Sequence, residues 1–171
     1  MLFNEYKKII IIGSAGSGKS FMSERLARLT GLPVIHLDKE FWKPDWEETK
    51  RDEWIEKQSK FIQKDRWIIE GNYIGTLELR FVAADLIIFL DINRVLCIWG
   101  AIKRHGKKRS DLPEYLEEKF DWEFIEFCKL IWKFKKTDIN LIMKIHEKYP
   151  DKKFIIIKSR KESDKLLSCW E

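Results

Sequence analysis

Five short runs of apolar residues recur along the chain, and longer segments with helical spacing separate them. Each run is rich in β-branched or aromatic residues and is bounded by glycine, proline or charge, which is typical of strands buried on both faces of a sheet. The predicted strands are residues 8–12, 33–37, 67–70, 86–90 and 153–157. Because strands and helices alternate, we predict an α/β protein with a parallel sheet and right-handed crossovers.

Two of the intervening segments carry clear helix signals. A helix is predicted after the first strand because Gly31 and Pro33 form a stop signal behind an amphipathic segment, whose apolar face holds Met22, Leu26 and Leu29. Thr49 and Asp52 have the spacing of a capping box, which predicts the start of a second helix.

Two more helices are predicted in the second half of the chain. Asp91 or Asn93 is placed to cap a helix over residues 95–104. Residues 122–134 form a predicted helix so apolar that it is either buried or covers a partner. No repeat or linker interrupts the pattern, so we predict a single domain over residues 1–171, with a lid at about residues 104–115.

Composition agrees with a globular protein, since 44% of the 171 residues are hydrophobic and 36% are charged. The net charge of +5 suits anionic partners, including nucleotides and nucleic acids. The three cysteines are scattered without CxxC spacing, which argues against a zinc site or a disulfide framework. No segment approaches transmembrane length, and we expect a soluble protein of the reducing cytoplasm, with no membrane partner.

The strongest chemical signal is the glycine-rich sequence between the first strand and the first helix. It has the pattern G-x(4)-G-K-S in the strand–loop–helix context of a phosphate loop. Lys19 is expected to bridge the β- and γ-phosphates of ATP, and the Ser20 hydroxyl to ligate Mg²⁺. The predicted nucleotide-binding residues of the loop are Gly13, Ser14, Ala15, Gly16, Ser17, Gly18, Lys19 and Ser20.

Other sequence motifs distinguish the classes of phosphate-loop proteins from one another. The guanine motif NKxD, a DxxG switch and an LSGG-like signature do not occur in the sequence, which disfavours GTPases and transporter ATPases. A short chain with an early loop and a late basic segment favours a kinase for a small molecule or a nucleotide. We therefore expect ATP and Mg²⁺ as cofactors.

Carboxylates follow three of the predicted strands, where a parallel sheet forms its ligand crevice. Asp38 is predicted to orient the acceptor hydroxyl, accept its proton or hold Mg²⁺-bound water, the alternative being a simple turn or cap aspartate. Glu70 is predicted to hold Mg²⁺-coordinated water, with Asp91 as its rival. We prefer Glu70 because the third strand should lie beside the phosphate-loop strand. Gly71 is expected to let the acceptor approach the backbone.

Cations for the transferring phosphoryl group are expected from the basic segment at residues 103–109. Arg104 and Arg109 are predicted catalytic residues, with Arg104 also near the nucleotide. A solvated basic loop or a nucleic-acid patch are the alternatives. Arg51 and Arg80 are predicted to bind an anionic group of the acceptor, or else to form surface salt bridges. Trp42, together with Trp46, is placed to sandwich a ring-shaped acceptor.

Several strings together carry a resemblance: IIIIGSAGSGKS, HLDKEFWKPDW, WIIEGNY, DLIIFLD and KSRKE. Over essentially its whole length the chain resembles the adenylate-kinase-like DNA topology modulation proteins (FlaR-related). The resemblance implies a P-loop NTPase three-layer sandwich, with a five-stranded parallel sheet of nucleoside-monophosphate-kinase type and a short lid. It also implies ATP binding, and Arg160 in the last string is assigned to the nucleotide.

The sequence departs from adenylate kinases after the third strand. Adenylate kinases have an arginine in a D-G-F-P-R pattern where this chain has Ile74. The spacing of Arg104 and Arg109, and the position of Asp38, are more similar to shikimate- and gluconate-kinase-like enzymes.

Two functional hypotheses follow. The first is an ATP-dependent kinase that transfers the γ-phosphoryl group to a small anionic or hydroxylated acceptor, possibly a nucleotide. The second is a nucleotide-dependent regulator that acts on DNA topology through nucleic-acid binding. Both a monomer and a homodimer are compatible with the sequence.

Overall fold

All five predicted strands are present in the computed structural model, which describes residues 5–105, 111–116 and 122–168. They are β1 (Lys8–Gly13), β2 (Val34–His36), β3 (Trp67–Glu70), β4 (Leu86–Leu90) and β5 (Lys153–Ile157). Every pairing is parallel, and the order across the sheet is β2-β3-β1-β4-β5. The predicted α/β fold is confirmed, and β3 lies beside β1 as expected.

Seven α-helices connect the strands in the described residues. They are α1 (Lys19–Thr30), α2 (Leu37–Phe41), α3 (Arg51–Ile62), α4 (Leu77–Ala83), α5 (Arg94–Arg104), α6 (Trp122–Lys148) and α7 (Arg160–Ser168). The first helix ends before Gly31, whose φ of 67° makes the left-handed cap that glycine favours. Helix α6 is twice as long as predicted. None of the described helices is both long and apolar enough to cross a membrane.

The predicted helix caps had opposite outcomes. Asn93 caps α5, because its side chain accepts a 2.9 Å hydrogen bond from the Val95 amide. Asp91 instead forms a 2.9 Å ion pair with Lys135. The capping box at Thr49 is wrong, because α3 begins without a side-chain cap and the Thr49 hydroxyl donates to the Phe41 carbonyl.

The sheet is covered on both faces, so the molecule has three layers. Alternate residues of β1 enter opposite cores, and Ile9 and Ile11 pack on one side while Ile10 and Ile12 pack on the other. All four are fully buried, and each contributes about 1.5–3 kcal/mol by leaving water. Helices α1, α5 and α7 cover the first face, α3 and α4 cover the second, and α6 contributes to both.

The phosphate loop after β1 packs directly on the backbone of α5. A Cβ on Gly16, whose φ is 74°, would overlap the Cys97 carbonyl oxygen of α5. A Cβ on Gly100 would lie 2.5 Å from the Gly16 carbonyl oxygen. The two glycines therefore allow a close approach that no other residue pair permits, and this approach fixes the loop against the helix.

Gly100→Ala separates this contact from ordinary helix propensity. Alanine in place of a helical glycine normally stabilises a protein by about 0.5–1 kcal/mol. Here the new methyl group would enter the space of the loop, so we expect a net loss of about 1–3 kcal/mol in the free energy of unfolding. Urea unfolding measures it.

Gly75→Ala is the matched control, because a Cβ at Gly75 meets no atom within 4 Å. Its stability should stay within about 0.5 kcal/mol of the wild type. A Gly100→Ala protein as stable as this control, or more stable, would contradict the contact.

Candidate functional site

The loop between β1 and α1 has the backbone geometry of an anion-binding site. Gly13, Gly16 and Gly18 all have positive φ angles, of 147°, 74° and 99°. The loop closes on itself with a 3.2 Å hydrogen bond from the Ser17 amide to the Ser14 carbonyl, and α1 begins at Lys19. The free N–H groups of the first helical turn and the helix dipole thus favour an anion such as phosphate here.

Lys19 lies at the mouth of this loop. Its ammonium group donates a 3.0 Å hydrogen bond to the Ser14 carbonyl. Burial lowers the pKa of Lys19, while the charges of Glu70 and Asp38 raise it, and the net pKa is below its ordinary value of 10.5. A bound phosphate would add negative charge beside Lys19 and favour the charged ammonium form.

The Ser20 hydroxyl lies beside two carboxylates. Its hydroxyl donates to Asp111 Oδ2 at 2.6 Å and lies 3.3 Å from Glu70 Oε1. Glu70 and Asp111 are 2% and 4% exposed, so both carboxylates are held in place. This set of hydroxyl and carboxylate oxygens fits Mg²⁺, which prefers hard oxygen ligands.

The described side chains do not by themselves form a complete metal site. No group of three or more His, Cys, Asp or Glu side chains able to hold a metal occurs among the described residues. Mg²⁺ is usually held by one or two carboxylates together with substrate phosphates, so a bound phosphate would have to complete a magnesium site here. Asp91 does not line the cleft, which favours Glu70 over Asp91 for this role.

His36 is the last residue of β2 and pairs with Glu70 across the two strand ends. Its Nδ1 lies 2.8 Å from Glu70 Oε1. Burial lowers the pKa of His36, but the hydrogen bond and the charge of Glu70 outweigh it and raise the pKa above its ordinary value of 6.5. His36 therefore helps, together with Ser20, to orient the Glu70 carboxylate.

Asp38 does not extend the strand, because β2 ends at His36 and Asp38 lies in the first turn of α2. Its Oδ1 accepts a 2.8 Å hydrogen bond from the Tyr73 hydroxyl. Burial raises the pKa of Tyr73 and the Asp38 charge raises it further, so the phenol keeps its proton and remains a donor. The backbone of Tyr73 has a φ of 37°, a strained value for a residue with a side chain.

The described part of the predicted lid reaches across the cleft. Asp111 contacts Ser20 of α1, and the Tyr115 hydroxyl donates a 2.7 Å hydrogen bond to the Trp42 carbonyl. Residues 111–116 thus connect the phosphate loop to the segment after α2. Arg104 ends α5 and lines the cleft, whereas the predicted Arg109 lies outside the described residues.

One open cleft of about 1820 Å³ joins the loop, the strand ends and the lid. Small-molecule pockets usually measure about 300–1,000 Å³, so this cleft has room for two ligands side by side. It contains most of the predicted site residues, namely Lys19, Ser20, Asp38, Trp42, Glu70, Gly71, Arg104 and Arg160.

Two predicted acceptor residues lie away from the cleft. Arg51 is exposed at the start of α3 and does not line it. Arg80 needs a correction, because it is fully buried and its guanidinium donates to the backbone carbonyls of Gly71, Asn72 and Tyr73. The three hydrogen bonds are 2.9, 2.7 and 3.1 Å long, so Arg80 holds the loop after β3 instead of a ligand.

Gly71 lines the cleft, but its contacts give it a packing role as well. A Cβ at this position, where φ is 137°, would lie 2.7 Å from Leu37 Cβ. The glycine therefore lets the loop after β3 approach α2, which brings Tyr73 to Asp38.

Sequence reasoning missed four residues that shape the site: His36, Tyr73, Gly100 and Asp111. The signal for His36 was its place at a strand end beside Asp38, and Tyr73 follows a glycine at the next strand end. No local pattern marks Asp111, because its contact with Ser20 depends on how a distant segment folds back.

The fold is a P-loop kinase-like α/β fold, with five parallel strands between two layers of helices. No protein-family model matches the chain. No curated protein matches it either. The resemblance to DNA topology modulation proteins, the cytoplasmic location and the oligomeric state therefore stay predictions.

Solved structures show the likeness in detail. The chain is similar to shikimate kinase from Acinetobacter baumannii in complex with shikimate, with 13% identity and a TM-score of 0.62 over 98% of this chain and 94% of that one. It is also similar to an unliganded sugar kinase from Janibacter sp. HTCC2649, with 13% identity and a TM-score of 0.57 over 95% and 91% of the two chains. At this identity the likeness establishes the fold.

The His36–Glu70 pair predicts a pH-dependent stability. Because the folded-state pKa of His36 is raised, its stabilising contribution is complete below the ordinary pKa of 6.5 and is lost as the pH rises through the raised value. The difference in unfolding free energy between the wild type and His36→Gln should therefore shrink as the pH increases. Urea unfolding from about pH 5.5, where carboxylates are ionised, measures this difference.

Glu70→Gln provides the matched background, because it removes the charge that raises the His36 pKa. In that background burial still lowers the His36 pKa while the raising effect of Glu70 is gone, so the effect of His36→Gln should no longer shrink as the pH rises. In the background that keeps Glu70, a difference in unfolding free energy between His36 and His36→Gln that grows with rising pH would contradict the pairing.

Proposed function

We propose that this protein is an ATP-dependent kinase that transfers the γ-phosphoryl group to a hydroxyl of a small acceptor. The observation that carries the proposal is the position of Lys19, which is hydrogen-bonded within the phosphate loop and lines the same cleft as Asp38 and Glu70. A phosphate held by Lys19 would face Asp38, the carboxylate suited to the acceptor.

The direction of ATP in the cleft follows from which residues flank the loop. Glu70 and Asp38 lie on the side of β3 and β2, whereas Arg160 follows β5 on the opposite side of the sheet. We place the γ-phosphate toward the β2–β3 side and the adenosine toward Arg160. Arg104 ends α5, and its charge acts on Lys19, so it lies near the phosphates.

Ser20 and Glu70 would hold Mg²⁺, with Asp111 of the lid as a third oxygen donor. The metal ion neutralises charge on the β- and γ-phosphates when it is bound. His36 keeps the Glu70 carboxylate oriented through their 2.8 Å contact. Because Asp111 belongs to the predicted lid segment, that segment would contribute directly to this set of oxygens.

Asp38 would orient the acceptor hydroxyl and receive its proton. In the transfer, the hydroxyl oxygen forms a bond to the γ-phosphorus, the bond to the β–γ bridging oxygen breaks, and ADP leaves. Tyr73 donates to Asp38 Oδ1 and so fixes the carboxylate in one orientation. Lys19, Arg104 and Arg109 would stabilise charge on the phosphoryl group, as the sequence predicts.

The names of the structural neighbours support this reading. One is a shikimate kinase solved in complex with shikimate, and the other is called a sugar kinase. Both names describe kinases whose acceptors are small hydroxylated molecules, and each structure aligns with more than nine tenths of this chain.

Acceptor-dependent ADP formation tests the proposal. With MgATP and a panel of nucleosides, nucleoside monophosphates and small hydroxylated compounds, we expect at least one acceptor to stimulate turnover. Lys19→Ala should lower kcat/KM by about 10²–10³, because it removes a cation from the developing charge. Asp38→Asn should lower kcat by about 10²–10⁴ while MgATP still binds.

Lys39→Ala is the matched control, because Lys39 is exposed on the same helix as Asp38 and does not line the cleft. Its turnover should equal that of the wild type. Near-wild-type turnover of Lys19→Ala would refute the proposed mechanism.

A further inference from the structure

We infer that the acceptor is an uncharged or positively charged hydroxyl compound with a flat apolar face, and that the site selects against anionic acceptors. This inference rests on the proposed kinase function and narrows the acceptor predicted from the sequence, which included anions. Three features of the β2–β3 side of the cleft support this inference. They are the scarcity of cations among its described residues, the carboxylates on its wall and its flat aromatic surface.

The arginines expected to bind an anionic acceptor do not reach this side. The guanidinium of Arg80 is fully buried and donates to three backbone carbonyls, and Arg51 points to solvent outside the cleft. Among the described lysines and arginines of the cleft wall, Lys19, Lys103, Arg104 and Arg160 belong to the loop, the end of α5 and the start of α7. Lys133 of α6 is left as the one described cation that could face the acceptor.

Carboxylates are more numerous on the same wall. Asp38, Asp45, Glu48, Glu70 and Asp138 all line the cleft. Asp138 of α6 is tied to the end of β3, because its Oδ2 accepts a 2.9 Å hydrogen bond from Asn72. An anionic group placed here would lose water and meet like charges, which is an effective way to reject an unwanted ligand.

The aromatic surface is built on a strained turn. Asp45 and Trp46 both have φ values of 58°, in the left-handed region that residues with side chains rarely adopt. The turn is held by a 2.8 Å hydrogen bond from the Lys43 amide to the Glu47 carbonyl and by the bridge between Trp42 and Glu48. Strain of this kind persists where the surrounding structure enforces it, often at ligand sites.

The strained turn places two indole rings together on the cleft wall. The rings of Trp42 and Trp46 have centroids 5.5 Å apart, and Trp46 remains 37% exposed. A partly exposed indole offers a flat apolar surface to a ring and attracts cations through its π face. This surface therefore suits an uncharged ring or a positively charged group, and the neighbouring carboxylates do not repel either of them.

Matched pairs of acceptors test the inference. One pair is a nucleoside and its 3′-monophosphate, which both keep the 5′-hydroxyl, and the other is 4-(aminomethyl)benzyl alcohol and 4-(hydroxymethyl)benzoate, which share a ring and a primary alcohol. We expect kcat/KM to be at least about tenfold higher for the uncharged or cationic member, a difference of about 1.4 kcal/mol. Calorimetry with the MgADP-bound protein measures binding of the same four probes without catalysis.

Two variants locate the effect. Trp46→Ala should raise the acceptor KM about tenfold and leave the ATP KM unchanged, and Trp46→Phe should restore most of the loss. Glu48→Lys should shift the preference toward the anionic members, whereas Glu56→Lys, which makes the same charge change on α3 outside the cleft, should not.

The outcomes separate this inference from the kinase proposal. If MgATP neither binds nor is consumed, the kinase proposal fails. If MgATP is used but the anionic members of the pairs are the better acceptors, the inference alone is overturned. Loss of that anionic preference in Lys133→Ala would then identify Lys133 as the residue that binds the anion. It is also overturned if no uncharged or cationic probe binds to the MgADP complex, or if Glu48→Lys leaves the preference unchanged.

Discussion

The contact between two glycines is the constraint on which the site depends. Gly16 and Gly100 bring the phosphate loop and α5 together with no side chain between them, and β1 fixes the other end of the loop. Because α5 ends at Arg104, this one contact fixes the phosphate loop relative to the residue at which the predicted lid begins. Lys19 and Ser20 then begin α1 in a fixed relation to the ends of β2 and β3.

The parallel order of the strands gives this fixed loop two different sides. On one side, β4 and β5 lead to Arg104 and Arg160, whose charges suit a nucleotide. On the other side, β3 and β2 lead to carboxylates, Tyr73 and the Trp42–Trp46 surface. Phosphoryl transfer needs positive charge around the phosphates and a base at the acceptor, and under the proposed function this division of charge across the loop would provide both.

Much of the fold is readable from the sequence because its signals are local. The runs at β3, β4 and β5 are continuous and β-branched, and their predicted bounds match the structure. The phosphate loop also needs only a local pattern, since its glycines sit between a strand and a helix. The short α2 escaped the prediction because Leu37 continues the apolar pattern of β2, although the strand ends at His36.

What the sequence could not provide depends on contacts between distant segments. Thr49 has the spacing of a cap, yet its hydroxyl is taken by Phe41 eight positions earlier. Asp111 meets Ser20 across 91 positions, which no local pattern encodes. Arg80 is different, because a signal was present: it lies three residues after Leu77 of α4 and four before Ala84, the residue that follows the helix, and both are fully buried. A helical-face analysis would have moved Arg80 from the acceptor to the core.

A structure with Mg²⁺ and a non-hydrolysable ATP analogue tests the central claim most directly, namely that the loop presents its terminal phosphate to the acidic side of the cleft. We expect the triphosphate to lie along residues 13–20, with the base toward Arg160 and the γ-phosphate between Lys19 and Asp38. A γ-phosphate that points toward Arg160, or an analogue bound away from the loop, would contradict the claim.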